Sequence, residues 1–385
     1  YNLSQKHTVY GSYVWNRDIL DRPDLANDYE KVPKTSNDNS VPFISATYRW
    51  SPGPTFTNEA RGGMNSAPAV FATSETFGAA IFGLPLVSNP VNTFRGQGRY
   101  TDTYNIADNA NWTKGRHTIS FGYQGQKITV NPFNDAGITP TYTLGMAAAN
   151  ARALIPAQVP GASANDLGTA NSLLALLGGQ VSSYSQTFNV ADRTSGYVAG
   201  APSRRNFKLW NHAMYVNDVW RMNPRFTLTL GTRWEYFSPV DETNSLVLMP
   251  LLQNNDPIKT LLSNSTLDFA GSSVGRPWYK KDLNNFSPNI GIAWQPFKDN
   301  GKTVVRMGYS VNYPNDDFIR SVDNSTATNA GLSTGVARTG LAGSASALPA
   351  IPVPAFKVPR TFADNYALDS TAAFAMPDPN LRTPY

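Results

Sequence analysis

Between Arg225 and Tyr236 the chain alternates residue by residue. Arg225, Thr227, Thr229, Gly231, Arg233 and Glu235 fall on one side, and Phe226, Leu228, Leu230, Thr232, Trp234 and Tyr236 on the other. A period of two is that of an extended strand with one wet face and one apolar face. Thr303 to Tyr313 repeats the pattern: Val305, Met307, Tyr309, Val311 and Tyr313 oppose Arg306, Gly308, Ser310 and Asn312. So does His117 to Lys127, where Ile119, Phe121 and Tyr123 oppose Thr118, Ser120, Gly122, Gln124 and Gln126.

Such segments pair into hairpins. Val41–Trp50 runs through Ser51-Pro52-Gly53-Pro54 into Thr55–Met64, and Asn105–Thr113 through Lys114-Gly115-Arg116 into His117–Val130. Phe207–Trp220 runs through Met222-Asn223-Pro224 into Arg225–Phe237, and Phe286–Trp294 through Pro296–Gly301 into Lys302–Tyr313. Each connection carries the Gly, Pro or Asn that a turn requires. Lys6–Trp15 and a weaker segment, Gln180–Val190, bring the expectation to about ten strands. The remaining connections, 131–179, 239–285 and 314–380, are long and rich in Asn, Ser, Asp and Pro. Short turns alternating with long loops are the asymmetry of outer-membrane barrels, whereas soluble domains seldom hold such loops. Trp15, Trp50, Trp112, Trp220, Trp234, Trp294 and Tyr313 fall near strand ends, where rings sit at a membrane interface.

Composition agrees. Only 15% of the 385 residues are charged and 12% are aromatic, with 29 Gly and 28 Pro, against about 25% charged in a typical soluble domain. Without cysteine, disulfides, thiolate metal sites and Cys nucleophiles are excluded. The net charge of +5 is scattered, which speaks against nucleic-acid binding. No apolar run approaches the roughly 20 residues of a spanning helix, so a membrane location requires a barrel.

Chemistry is sparse. His7, His117 and His212 lie far apart and in no metal spacing, and no G-x-S-x-G elbow is present. Asp18 with Asp21 and Asp24, and Asp316-Asp317 with Asp323, carry hard-cation oxygens but follow no calcium-loop pattern. Neither a catalytic residue, a metal site nor a cofactor is expected. The polar strand faces carry Glu59, Arg61, Arg233, Glu235 and Arg306. In a barrel that face is the lumen. Ion pairing between neighbouring strands is the plainer role for these five, and direct contact with a substrate the sharper one.

Several segments resemble TonB-dependent receptors. Tyr215-Val216-Asn217-Asp218-Val219-Trp220, the turn Asn223-Pro224-Arg225, and Leu228-Thr229-Leu230-Gly231-Thr232-Arg233-Trp234-Glu235-Tyr236 are similar to a recurrent barrel hairpin of that family. Asn217 stands where Gln is more usual. Asn285-Phe286-Ser287-Pro288 with Gly301-Lys302-Thr303-Val304-Val305-Arg306 resembles the following hairpin, and Lys114-Gly115-Arg116-His117-Thr118 an earlier one. The likeness is closest to the Oar-like branch and spans most of the chain.

The resemblance implies an all-β fold: residues 1–385 as part of an antiparallel transmembrane barrel of about 22 strands with long extracellular loops. Neither a plug domain, a TonB box nor a signal peptide is recognisable within them, so the natural protein is expected to be longer. It further implies location in the outer membrane of a Gram-negative bacterium. The partners implied are the lipid bilayer, the TonB complex acting through a plug domain, and a ligand such as a metal chelate, oligosaccharide or peptide. Two rivals are a secreted β-sandwich adhesion or binding module and an outer-membrane enzyme with a site on its lumen or loops.

Overall fold

The computed structural model describes residues 1–22, 35–73, 78–89, 93–297, 302–314 and 328–384. The chain opens with β1 (Asn2–Ser4), β2 (His7–Asp21), β3 (Thr35–Gly53) and β4 (Phe56–Ser66). Two short strands follow, β5 (Ala69–Thr73) and β6 (Ile81–Gly83), then the long pair β7 (Gln97–Lys114) and β8 (His117–Asn134). The next connection holds β9 (Thr141–Leu144), helix α1 (Ala164–Gly178), β10 (Gln180–Val190), β11 (Tyr197–Ala199) and β12 (Ser203–Arg204). After β13 (Phe207–Asn223) and β14 (Phe226–Phe237) come β15 (Asp241–Glu242), β16 (Leu248–Pro250), α2 (Pro257–Leu261) and β17 (Thr266–Phe269). β18 (Asn285–Trp294) and β19 (Val305–Ser310) precede β20 (Ser333–Arg338), β21 (Gly343–Ser344), β22 (Arg360–Thr361) and α3 (Phe362–Tyr366).

One antiparallel sheet, the wall, runs in the order β1-β2-β3-β4-β7-β8-β13-β14-β18-β19. Two-residue turns close its hairpins at one end: Gln5-Lys6, Pro54-Thr55, Gly115-Arg116 and Pro224-Arg225. Gly115 takes φ +60°, the left-handed conformation such a turn demands. Every long connection leaves from the opposite end. The hairpins expected from alternation are all present, with strands extended toward the long-loop end; β3 begins at Thr35 and β7 at Gln97. The expected strand at Lys302–Tyr313 is shorter, Val305–Ser310. Part of the Pro296–Gly301 turn lies outside the described residues.

In an antiparallel sheet, residues in register share a face. The row Tyr309–Ile290–Leu230–Asp218–Ile119–Trp112 is therefore on one side. On that apolar face Met214, Val216, Leu230, Ile290 and Met307 remain exposed, with nothing packed over them to shed their apolar surface from water. This departs from a β-sandwich, in which a second sheet covers such a face. Two aromatic belts bound the face. Trp50, Phe56, Trp112, Trp220 and Trp294 lie toward the turns, and Trp15, Tyr104, Trp210, Trp234 and Tyr236 toward the loops. Trp210 and Trp220 are ten residues apart on β13, about 33 Å along a strand. At a tilt of about 40° that projects to about 25 Å, the height of the apolar band of an outer-membrane barrel. Lys127 Nζ lies 5.3 Å from the Trp210 ring centre and 6.0 Å from that of Tyr104, placing a cation within the loop-side belt.

The long connections were expected to be structureless, and they are not. They fold together into a loop assembly with two sheets of its own: β11-β10-β9-β6 with β20 and β21 on β10, and β16-β17-β22. Gln180–Val190 has the strand bounds that its alternation gives. It is the centre of this second sheet, however, and not part of the wall. The tightly packed cores lie here. Phe188, Val190 and Tyr197 meet Leu246, Leu248 and Leu267 and then Leu332 and Phe362, so three separate connections share one core. Phe207, at the start of β13, packs with Val240, Val247, Met249 and Trp278 and ties the assembly to the wall.

Candidate functional site

The opposite face of the wall is polar. Register places Glu59, Asn109, Gly122, Tyr215, Arg233 and Ser287 in one row across six strands. The next row holds Arg61, Ala107, Gln124, Ala213, Glu235 and Asn285. Four of the five charged residues expected on this face thus share two neighbouring rows. Arg306 does not join them. It pairs in register with Ala293, which pairs with Thr227, three same-face rows from Arg233 toward the turns.

The charges are internally matched. Glu59 receives Arg49 Nη2 at 2.7 Å and Arg61 Nη2 at 2.6 Å, and Tyr10 Oη donates to it at 3.4 Å. Arg233 Nε meets Glu235 Oε1 at 2.9 Å, while its Nη2 donates to Gln124 Oε1 at 3.0 Å. Amides fill the space between. Asn211 Nδ2 donates to Gln126 Oε1 at 2.8 Å, Gln126 Nε2 to Asn105 Oδ1 at 3.1 Å, and Tyr215 Oη to Asn109 Oδ1 at 2.8 Å. Arg61, Gln124, Gln126, Asn211, Arg233 and Glu235 line one depression of about 380 Å³. Among the described residues only Glu59 of the five is ion-paired across strands, with Arg49 on β3, whereas Arg61–Glu59 and Arg233–Glu235 are pairs within one strand, two residues apart, so the expected pairing between neighbouring strands describes one of them. The amides Asn105, Asn109, Gln124, Gln126 and Asn211 were not singled out as candidates, although alternation along β7, β8 and β13 puts them on this face.

Glycine sets the depth of the surface. A Cβ on Gly122 would fall 2.8 Å from Tyr215 Cε1 and 2.4 Å from the Asp108 carbonyl, so only glycine lets the tyrosine lie across β8.

The histidines form no constellation. His7 Nδ1 is 2.7 Å from Tyr48 Oη, His117 Nδ1 2.6 Å from Asp218 Oδ2, and His212 Nδ1 2.7 Å from Tyr123 Oη. All three are on the apolar face, the last stacked between Trp210 and Tyr236. Among the described residues no three His, Asp or Glu side chains could hold a metal ion. Asp18 and Asp21, three apart on β2, point to opposite faces. Asp24, Asp316, Asp317 and Asp323 lie outside the described residues. No helix is long and apolar enough to cross a membrane, which says nothing of crossing by strands.

A wall with one polar face, one uncovered apolar face and two aromatic belts is the construction of a membrane barrel. The chain belongs to the outer membrane β-barrel domain family, which it matches over residues 1–385. It is an all-β protein of the outer membrane, with the lipid bilayer as its surroundings. The Pseudomonas putida toluene transporter TodX is 10% identical over 80% of this chain and 75% of its own, with a TM-score of 0.24. The Ralstonia pickettii toluene transporter TbuX is 11% identical over 80% and 77%, with a TM-score of 0.23. The CymD monoaromatic hydrocarbon channel is 10% identical over 80% and 75%, with a TM-score of 0.20. No curated protein matches the chain.

Proposed function

We propose that this chain forms wall and external loops of a TonB-dependent outer-membrane transporter for a hydrophilic solute. The observation that carries the reading is the continuous layer of amides and matched ion pairs across the wall between the two aromatic belts. Facing lipid, such a layer would be very costly; facing an aqueous lumen, it is solvated. In this reading Glu59, Arg61, Arg233 and Glu235 line the lumen at one level, and Arg306 lines it nearer the turns. The folded loops capture the ligand outside the cell, and a plug domain pulled by TonB opens the path.

The barrel residues do no covalent chemistry; they present hydrogen-bonding groups along the route. Among the described residues the wall path is open, with β1 and β19 each paired on one side only. Further strands would close it, because an unpaired edge buried in lipid leaves backbone groups unsatisfied. The motifs that resemble TonB-dependent receptors fall on the wall hairpins β7–β8, β13–β14 and β18–β19, and support the energised form of transport. Uptake measured in whole cells tests it. Transport should require the proton-motive force and stop when TonB is deleted. Uptake that persists without TonB would make the protein a passive channel.

A further inference from the structure

Beside the ion-paired rows, the polar face holds a depression of about 520 Å³ at β13, β14 and β18, a volume within the range of small-molecule sites. Its floor is Gly231. A Cβ there would lie 2.5 Å from Asn217 Oδ1, so the glycine lets the Asn217 carboxamide lie across β14. Asn289 Nδ2 approaches Asn217 Oδ1 at 3.5 Å, linking two carboxamides side by side. Asn217 Nδ2, Asn289 Oδ1 and Gln124 Nε2 have no partner among the described residues. Ser287 is only 6% exposed, and its buried Oγ has no hydrogen-bond partner, yet the residue lines the depression. A buried hydroxyl left unpaired costs free energy until something satisfies it.

We infer that this cradle is a binding subsite for a neutral saccharide. Carboxamides offer a donor and an acceptor side by side, as adjacent sugar hydroxyls do. Tyr215, which passes close over Gly122 and lines the depression, adds an aromatic ring for the apolar face of a sugar. Among the described residues that line the site the one cation, Arg233, is already matched by Glu235, so they leave no charge to select an anionic chelate. A peptide is the poorer fit. β13, β14 and β18 are paired on both sides, so their backbone is occupied and cannot take up an added peptide strand.

The inference rests on the uptake reading above for its biological use, but its test is independent. The full chain in detergent is titrated calorimetrically with neutral α-glucan, β-glucan, mannan and xylan oligosaccharides. At least one should bind with a dissociation constant of about 1 mM or tighter. Its affinity should change less than about twofold when salt is raised, since neither partner presents net charge. Asn217→Ala with Asn289→Ala should weaken binding about tenfold or more, through two lost hydrogen bonds. Arg116→Ala, in the turn between β7 and β8, should leave it unchanged, and both variants should keep the parent's strand circular dichroism. No binding by any of the four, binding that survives the double substitution in a folded wall, or displacement by a neutral Gly-Ser peptide would each overturn the inference. Saccharide binding together with TonB-independent uptake would overturn the uptake reading alone.

Discussion

Two kinds of residue decide how the polar features of this protein are held. The first is Glu242, fully buried where the β14–β18 connection meets β13. Its carboxylate accepts from the backbone N–H groups of Asn206, Asn244 and Leu246 at 2.9, 3.0 and 2.6 Å. Burial lowers the pKa of the nearby Arg205 guanidinium, and the charge of Glu242 opposes that shift. Glu242→Ala leaves buried donors unsatisfied and should cost about 3 kcal/mol, measured as lost stability of the loop assembly in thermal unfolding. The second is glycine on the polar face. Gly122→Ala places a methyl against the Asp108 carbonyl and the Tyr215 ring. It should cost about 1–3 kcal/mol by overpacking in urea unfolding, with loss of the Tyr215–Asn109 hydrogen bond. The polar charges Glu59, Arg61, Arg233 and Glu235 were legible from alternation because each lies on a regular strand. That Arg306 stands apart was not, since rows across strands depend on register and not on spacing along one strand.

At the scale of elements, wall strands and loop elements differ in what makes them readable. A strand with lipid on one side and water on the other writes its environment into every second residue, so β13, β14 and β8 stand out. β10 sits inside a folded assembly and is buried on both faces, so its sequence identifies a strand but not its sheet. Helix α1 went unrecognised although its start is marked: Ser163 Oγ accepts from Asp166 N–H at 3.2 Å, and Asp166 accepts from Ser163 N–H at 3.0 Å. Its apolar Leu173–Leu177 run is too short to declare a helix alone. The core shared by three connections brings together residues as distant as Phe188, Leu248 and Phe362, and no local pattern announces it. Leu248→Ala should cost about 3 kcal/mol and expose the assembly to protease while the wall stays protected.

Acid should act on the same assembly. Four of its carboxyls are held below the usual carboxylate range: Asp166 by the Ser163 side chain, Asp192 by the Thr194 side chain, Asp364 by the Thr361 backbone and Asp369 by the Thr371 side chain. Groups with a depressed folded pKa stabilise fully above their unfolded value and lose that contribution as pH falls through the folded one. Asp135 acts oppositely, because burial raises its pKa and its protonated form favours the fold. With four groups against one, the protection of the loop assembly's amides, measured as hydrogen exchange corrected for its intrinsic pH dependence, should fall as pH drops below about 4, before that of the wall. Equal loosening of both would contradict this.

For the whole molecule, the account turns on which solvent meets each face of the wall. Two belts about 25 Å apart, an uncovered apolar face and a polar face whose charges are matched belong together only if lipid lies on one side and water on the other. These 385 residues contain no cysteine, so within them a single substituted cysteine reports without background. The most direct measurement places cysteine in turn at 227 to 233 on β14, in protein reconstituted into lipid vesicles. Each variant is then probed with a water-soluble maleimide and with a lipid-borne fluorescence quencher. Positions 227, 229, 231 and 233 should react with the maleimide, and 228, 230 and 232 should be quenched from the lipid, alternating with a period of two. Uniform maleimide access along β14, or quenching on the Thr229 face in place of the Leu230 face, would contradict the membrane-wall account.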